Sequence, residues 1–442
     1  MNQNLTNVSP IDGRYAKSLV SLKEYFSEYA YIKYRVKVEI EYLIKFLQIK
    51  KTAKKYKKLQ SIEDNFSVDD AQRVKEIEGK IHHDVKAIEY FLREKFKKLG
   101  LNKLSSFIHL GLTSEDVNNL AYGLILKEFN RKTVLPEIEI MVKWLNGLII
   151  ENKDKVMLAR THGQVAVPTT FGKEIANFNE RLLKQQKKLK DFKFEGKLNG
   201  AVGNYNALQF VYPKINWQKF SKEFIEDLGL RTNFYTTQIL PYDNWLEYFQ
   251  IIYLINGILL GLAQDMWNYI MLDVLILKKE KNQVGSSTMP QKINPIDFEN
   301  AEGNIQIANN YFELFQRKLM VSRLQRDLSD SIVKRTFGTA FGHSLLAWKG
   351  IVKGLGKISV NEIKTKTELD NHWEVLAEAV QTYLRSVGDE KAYEKLKDLT
   401  QGKKIEKKEY LEIISKLGLD KENKFRELTP EKYVGLVRLL TI

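Results

Sequence analysis

The stretch Gly285-Ser286-Ser287-Thr288-Met289-Pro290-Gln291-Lys292-Ile293-Asn294-Pro295 places three hydroxyls, an ammonium and two carboxamides in one short loop. Its glycine and prolines keep it out of a helix until Asn294 and Pro295, which read as N-cap and first helical residue, with Asp297 and Glu299 near the positive helix end. Hydroxyls and an ammonium ahead of a helix N-terminus suit a carboxylate. A second chemical group is His162, in Arg160-Thr161-His162-Gly163-Gln164, whose imidazole can carry a proton near neutral pH. Taken alone, a single His before Gly reads equally well as structural. The run His82-His83-Asp84 has the residue types of a metal cluster. On a helix, however, adjacent side chains diverge by about 100°, so two such imidazoles would not share an ion, and no HExxH pattern accompanies them. No metal and no other cofactor is expected. With no cysteine in the chain, disulfides, thiol nucleophiles and thiolate ligation are excluded, and any chemistry falls to Ser, His, Lys and carboxylates.

Long helices must hold these groups. Proline is scarce, at eight residues, and long stretches lack both Pro and Gly, which suits helices and hardly suits a sheet. Val117, Leu120, Ala121, Leu124 and Ile125 recur at helical spacing behind Thr113-Ser114-Glu115-Asp116, a capping box. Phe171, Ile175, Phe178 and Leu182 do the same after Pro168, and further rods are expected over 135–150, 246–277 and 304–319. The expected fold is all-α, with three helical domains over 1–105, 106–357 and 358–442 and a long-helix bundle in the middle one. Several rods carry apolar residues on more than one face, so the bundle should continue into neighbouring subunits of a homo-oligomer. The most apolar stretch, 249–277, is interrupted by Asn256, Gln264, Asp265, Asn268 and Asp273 before ~18 apolar residues accumulate, and reads as a core helix.

The net charge of +15 favours anionic partners. The excess is lysine in scattered runs such as Lys54-Lys55, Lys187-Lys188 and Lys403-Lys404, without aromatic interleaving, so a solvated surface is expected and neither nucleic acid nor membrane. Met1-Asn2-Gln3-Asn4-Leu5 lacks the basic and apolar regions of a signal peptide, and a cytoplasmic protein is expected.

The loop 285–295 resembles the signature loop of the fumarase/aspartase superfamily. Ile108-His109-Leu110-Gly111-Leu112-Thr113-Ser114-Glu115-Asp116 and Arg160-Thr161-His162-Gly163-Gln164 resemble two further superfamily segments, in the right order. Within it, Ser9-Pro10-Ile11-Asp12-Gly13-Arg14-Tyr15, the stretch from His83-Asp84 to Leu92, that from Asn199 to Asn206, Gln325-Arg326-Asp327-Leu328-Ser329-Asp330-Ser331 and Asn371-His372-Trp373-Glu374 resemble the adenylosuccinate lyase family. Val165 and Val167 depart from it where Pro and a small polar residue are usual, and His82 stands where Asn is usual. Argininosuccinate lyase or another superfamily member is the alternative reading within the superfamily. A non-catalytic basic binding protein on the same scaffold is the alternative outside it.

The resemblance implies β-elimination of fumarate from adenylosuccinate, giving AMP, and from the succinyl-carboxamide ribotide SAICAR, giving AICAR. It implies a homotetramer whose sites are each assembled from three chains. It places the base at Ser286, stabilised by loop amides and Lys292, with Ser287 binding substrate. His162 would be the acid to the departing nitrogen, held by Glu299. Lys292 and Asn294 would hold the carboxylates of the fumaryl portion, joined by Thr113 and Ser114. Arg14, Tyr15, Arg326, Ser331 and Arg335 would grip the phosphate and its surroundings. His82, His83, Asp84, Gln238 and Asn300 complete the implied pocket.

Overall fold

The computed structural model describes residues 5–49, 56–279 and 288–441. Helices dominate, as expected, and divide into two compact units, Met1–Glu137, Gln185–Asn256 and Gly303–Ala347 forming one and Ile138–Lys184, Gly257–Glu302 and Trp348–Ile442 the other.

In the first unit, helix Glu28–Ile49 is buried on nearly every side, and Ile32, Val36, Ile40 and Leu43 share a core with Leu59, Val74, Ile88, Phe91 and Ile108. Each such side chain taken out of water contributes about 1.5–3 kcal/mol. Helix Ser114–Phe129 starts at the expected capping box: Thr113 N donates to Asp116 Oδ2 at 2.9 Å. It does not stop before the next rod. A π-helical segment, Asn130–Val134, carries it on, with Leu135 N donating to Asn130 O. Pro136 has no N–H to give to an α-helical bond, and the widened turn ahead of it absorbs that loss. Phe249, Phe312, Phe315, Phe337 and Phe341 form one ring cluster, with Phe249 and Phe337 centroids 4.9 Å apart in an edge-on contact. Beside it Asn256 Nδ2 donates to Asn309 Oδ1 at 2.9 Å and to Ser344 Oγ at 3.0 Å, tying helices Asp243–Met271, Ile296–Leu319 and Phe337–Leu355 together through a satisfied buried amide.

In the second unit, Leu158 packs with Leu369, Trp373, Leu376, Leu384 and Ile414. Helix Phe171–Asp191 approaches helix Leu135–Asn152 so closely that a Cβ on Gly172 would lie 2.8 Å from Ile149 O and the Lys153 backbone. Two details depart from the sequence reading. The rod expected over 246–277 begins at Asp243 and ends at Met271; Asp273, at φ +59°, turns the chain, and Leu275–Leu277 pairs antiparallel with Ile358–Val360. The rod expected from 304 already begins at Ile296, and the first backbone acceptor is Pro295 O, so Pro295 rather than Asn294 occupies the cap position. Helix Asp243–Met271 is, among the described residues, the one long and apolar enough by composition to cross a bilayer, and 61% of its most apolar window is buried.

Candidate active site

In the first unit the Thr113–Ser114 helix start is fixed from behind. Asp116 is fully buried against Lys197 Nζ at 3.1 Å and accepts from the amides of Asn199 and Gly200. Lys197 Nζ also donates to Gly200 O at 3.0 Å. The Gly-rich turn is thereby pressed onto the helix start. Gly203 has φ +84°, and a Cβ there would meet Thr236 O at 2.4 Å, so only glycine lets the turn pass. Gln238 Nε2 donates to Ala201 O at 3.1 Å, and its amide donates to Gln325 O at 3.2 Å. Thr113, Ser114, Gln238 and the residue before Arg326 are therefore linked through one hydrogen-bonded loop system.

Arg326 lies 3.0 Å from Glu115, whose other oxygen is 3.4 Å from Lys334. Burial alone would raise the Glu115 carboxyl, but the Lys334 ammonium and Arg326 guanidinium outweigh it and hold it below its ordinary value. Burial likewise opposes the Lys334 charge, and Glu115, Tyr242 and Asp330 raise it well above the ordinary lysine value. Ser331 sits half-buried between Asp330 and Lys334 on helix Ser329–Lys334. Arg335, one residue on, pairs with Glu28 at 3.0 Å and reaches Asp84 at 3.8 Å. Asp84 is also 3.1 Å from Arg35; although burial pushes its carboxyl up, Arg35, the Val85 amide and Arg335 leave it below the usual range. Arg335 further lines a crevice of about 190 Å³ with Ser9, Ile11 and Asp12. Those residues lead into a turn in which Tyr15 N donates to Pro10 O, with Arg14 stacked 5.9 Å from the Tyr15 ring.

His82 and His83 do not share a helix. His82, at φ +55°, ends helix Val68–Ile81, and His83 caps helix Asp84–Lys98 by accepting from Lys86 N on Nδ1 at 3.1 Å. That bond makes Nδ1 an acceptor and leaves Nε2 as the N–H of this tautomer.

In the second unit His162 and Gly163 form the two-residue turn of hairpin Val156–Thr161/Gln164–Thr170, with φ +54° and +74°. Positive φ at both positions matches the turn type that follows strand twist, and His tolerates it better than most residues. Arg160 clamps the hairpin to helix Glu362–Asp370 through two bonds to Glu368, at 2.8 and 3.0 Å. The imidazole of His162 is exposed and, among the described residues, has no hydrogen-bond partner. Glu299, in the first turn of helix Ile296–Leu319, accepts from Trp267 Nε1 at 3.1 Å and makes no hydrogen bond to His162 within the chain. Lys292 and Asn300 are exposed, and Asn294 is half-buried. Ser286 and Ser287 lie outside the described residues.

Sequence reasoning missed Arg35, Glu115, Tyr242, Asp330 and Lys334. Glu115 stands in the sequence as part of a capping box and of a superfamily segment, with no role of its own. The spacing of Asp330 and Lys334, one helical turn apart, is the available signal for that pair.

The family model described as Lyase matches residues 14–308, and that described as Adenylosuccinate lyase C-terminal matches 322–434. The chain is 44% identical over 442 residues to the adenylosuccinate lyase of Escherichia coli (strain K12), covering 98% of this chain and 97% of that one. It is 44% identical over 441 residues to that of Haemophilus influenzae, with the same coverage. Its fold is similar to that of a fumarate lyase from Mesorhizobium sp. BNC1, with TM-score 0.76, 17% identity and 96% of each chain covered. It is also similar to 3-carboxy-cis,cis-muconate lactonizing enzyme from Pseudomonas putida, with TM-score 0.78, 17% identity and 96% and 95% covered. The helical architecture read from the sequence is thus that of the fumarate lyase fold, and the chain belongs to the adenylosuccinate lyase family, as a carbon–nitrogen lyase acting on a small-molecule substrate.

Proposed function

We propose that this protein cleaves adenylosuccinate to AMP and fumarate, and SAICAR to AICAR and fumarate, by β-elimination. The observation that carries the reading is the first unit's arrangement: a helix start bearing Thr113 and Ser114, linked through Gln238 to a segment that presents Arg326 and Arg335. Hydroxyls at a helix N-terminus suit a carboxylate, and guanidiniums suit a phosphate. In the reaction, Ser286 takes the proton from the carbon β to the nitrogen, the electron pair forms the fumarate double bond, and the carbon–nitrogen bond breaks. His162 gives its proton to the departing nitrogen. Lys292 and Asn294 hold the carboxylate on which charge develops, with Ser287, Thr113 and Ser114 beside it. His83 offers its Nε2–H to the base or ribose, with His82, Asp84 and Asn300 completing the pocket, and Arg14, Tyr15 and Ser331 join the two guanidiniums around the phosphate.

The site is shared between subunits of a homotetramer. Support comes from the exposed His162 ring and from exposed apolar side chains on long helices, including Trp144 at 42%, Ile150 at 69% and Met271 at 59%. Glu299 of one chain would then orient His162 of another. The protein is proposed to act in the cytoplasm, its lysine surface solvated and not bound to nucleic acid or membrane. The three-segment division at 105 and 357 is supported by separate apolar cores over Ile32–Ile108 and, with Leu158, over Leu369–Phe425.

The test is a spectrophotometric assay with purified protein on adenylosuccinate, with argininosuccinate alongside. Cleavage of the first alone supports the reading; cleavage of the second alone contradicts it. Ser286→Ala should lose ~10²-fold or more in turnover while still binding substrate. If Ser287→Ala is inactive and Ser286→Ala is not, the base is Ser287.

A further inference from the structure

Behind Arg326 the first unit buries more charge than a phosphate contact needs. Glu115 Oε1 is 3.0 Å from Arg326 Nη1 and accepts from Asn118 Nδ2 at 2.9 Å, while Oε2 faces Lys334 Nζ at 3.4 Å. Lys334 is also 2.8 Å from Asp330 and donates to the Tyr242 hydroxyl at 2.7 Å, with its ammonium 5.4 and 5.0 Å from the centres of the Tyr122 and Tyr242 rings. Two carboxylates and two cations balance, so the cluster as a whole has no surplus charge with which to attract a ligand. Only one of its members reaches the surface: the side chains of Glu115, Lys334 and Asp330 are 2, 2 and 6% exposed, that of Arg326 19%.

Burying ion pairs is an inefficient way to stabilise a fold, since apolar residues of similar volume do as well or better. A charge cluster that is internally neutral and open to solvent through a single guanidinium is better explained by what it does to that guanidinium. We propose that Glu115, locked in place by Lys334, is a positioning residue that fixes the Arg326 guanidinium in the orientation that receives the substrate's phosphate. A free arginine loses side-chain freedom on binding, and one already held by a rigid carboxylate loses less. Asn118 extends the brace, because its Oδ1 accepts from Arg35 Nε at 2.8 Å, and Arg35 holds Asp84, which faces Arg335. The inference rests on the proposed role of Arg326 as a phosphate ligand.

The experiment compares AMP with adenosine, which lacks the phosphate, by calorimetric titration of the intact enzyme, together with kcat and KM for adenylosuccinate. Glu115→Gln should weaken AMP about 10-fold, leave adenosine within about 2-fold, and raise KM more than it lowers kcat. Arg326→Ala should abolish the preference for AMP, and adding Glu115→Gln to it should cost nothing further. Should Glu115→Gln fail to fold, Glu115→Asp keeps the charge but draws it back by one methylene, and should likewise weaken AMP alone. An unchanged AMP-to-adenosine ratio in the Glu115 variants, or a loss that adds in full to that of Arg326→Ala, overturns the positioning role. If Arg326→Ala itself keeps the preference for AMP, the phosphate assignment of Arg326 falls, and the positioning role with it.

Discussion

In the first unit, Arg326 rests on a carboxylate that is itself clamped by a buried lysine, whereas in the second, His162 ends a hairpin with its ring in solvent and unpartnered among the described residues. Both belong to the proposed site, yet one is held by a buried carboxylate and the other only through its backbone and the Arg160–Glu368 clamp two residues away. The braced groups are those that would bind a fixed, permanently charged feature of the substrate. The unbraced group is the one that would exchange a proton. A binding group gains from being immobile before the ligand arrives. In the proposed shared site, a proton donor that pairs with a carboxylate on another chain would stay open until that chain is present.

The largest expected effect tests the braced side. Lys334→Met leaves Glu115 and Asp330 facing one remaining guanidinium and should destabilise the protein by about 3–5 kcal/mol, read by chemical denaturation. Lys334→Met with Asp330→Asn restores neutrality and should recover much of that loss. If the single variant is as stable as the parent, the cluster is not a coupled unit. Next comes the open side: His162→Asn, which accepts positive φ, should lower turnover by ~10²-fold or more while moving stability by no more than about 1 kcal/mol. A large drop in unfolding midpoint would mean that His162 is structural. Gly163→Ala puts a Cβ where φ is +74° but meets nothing within 4 Å, so the cost should be the backbone strain alone, about 1–2 kcal/mol.

The smallest effect is a dependence on acid. Glu115 and Asp84 both have carboxyls depressed below their ordinary values in the folded protein. Their stabilisation is therefore fully present above the unfolded carboxylate range near pH ~4 and is lost as pH falls through the lower folded values. Denaturation midpoints measured from pH 5 downward should fall, and Glu115→Gln should flatten part of that slope; an equal slope in the variant would assign the acid sensitivity elsewhere.

The same contrast explains what could be read from the chain. The helix over Ser114–Phe129 was legible because its cap and its apolar spacing agree, and both lie within a few residues. The hairpin at Val156–Thr170 was not, since its turn uses His-Gly in place of the usual Asn-Gly, and its strands mix arginine, threonine and proline without clean alternation. His82 and His83 looked like helix neighbours, and only the left-handed φ of His82 separates them into the end of one helix and the cap of the next. Lys334 was hidden among so many surface lysines that its charge gave no warning of burial. The Asp116–Lys197 pair joins segments far apart in sequence, and nothing local predicts it. Motifs point to Arg326; the carboxylate of Glu115 that holds it, itself held by Lys334, is visible only once the chain is folded.

The claim that the open side is completed by another chain is tested most directly by mixing two inactive proteins. His162→Asn and Ser286→Ala subunits, purified separately, combined under mild dissociating conditions and returned to native buffer, should form some sites with both residues intact. Adenylosuccinate cleavage well above either parent is expected. No recovery, with mixed tetramers demonstrated by native mass spectrometry, would place both residues of a site on one chain and contradict it.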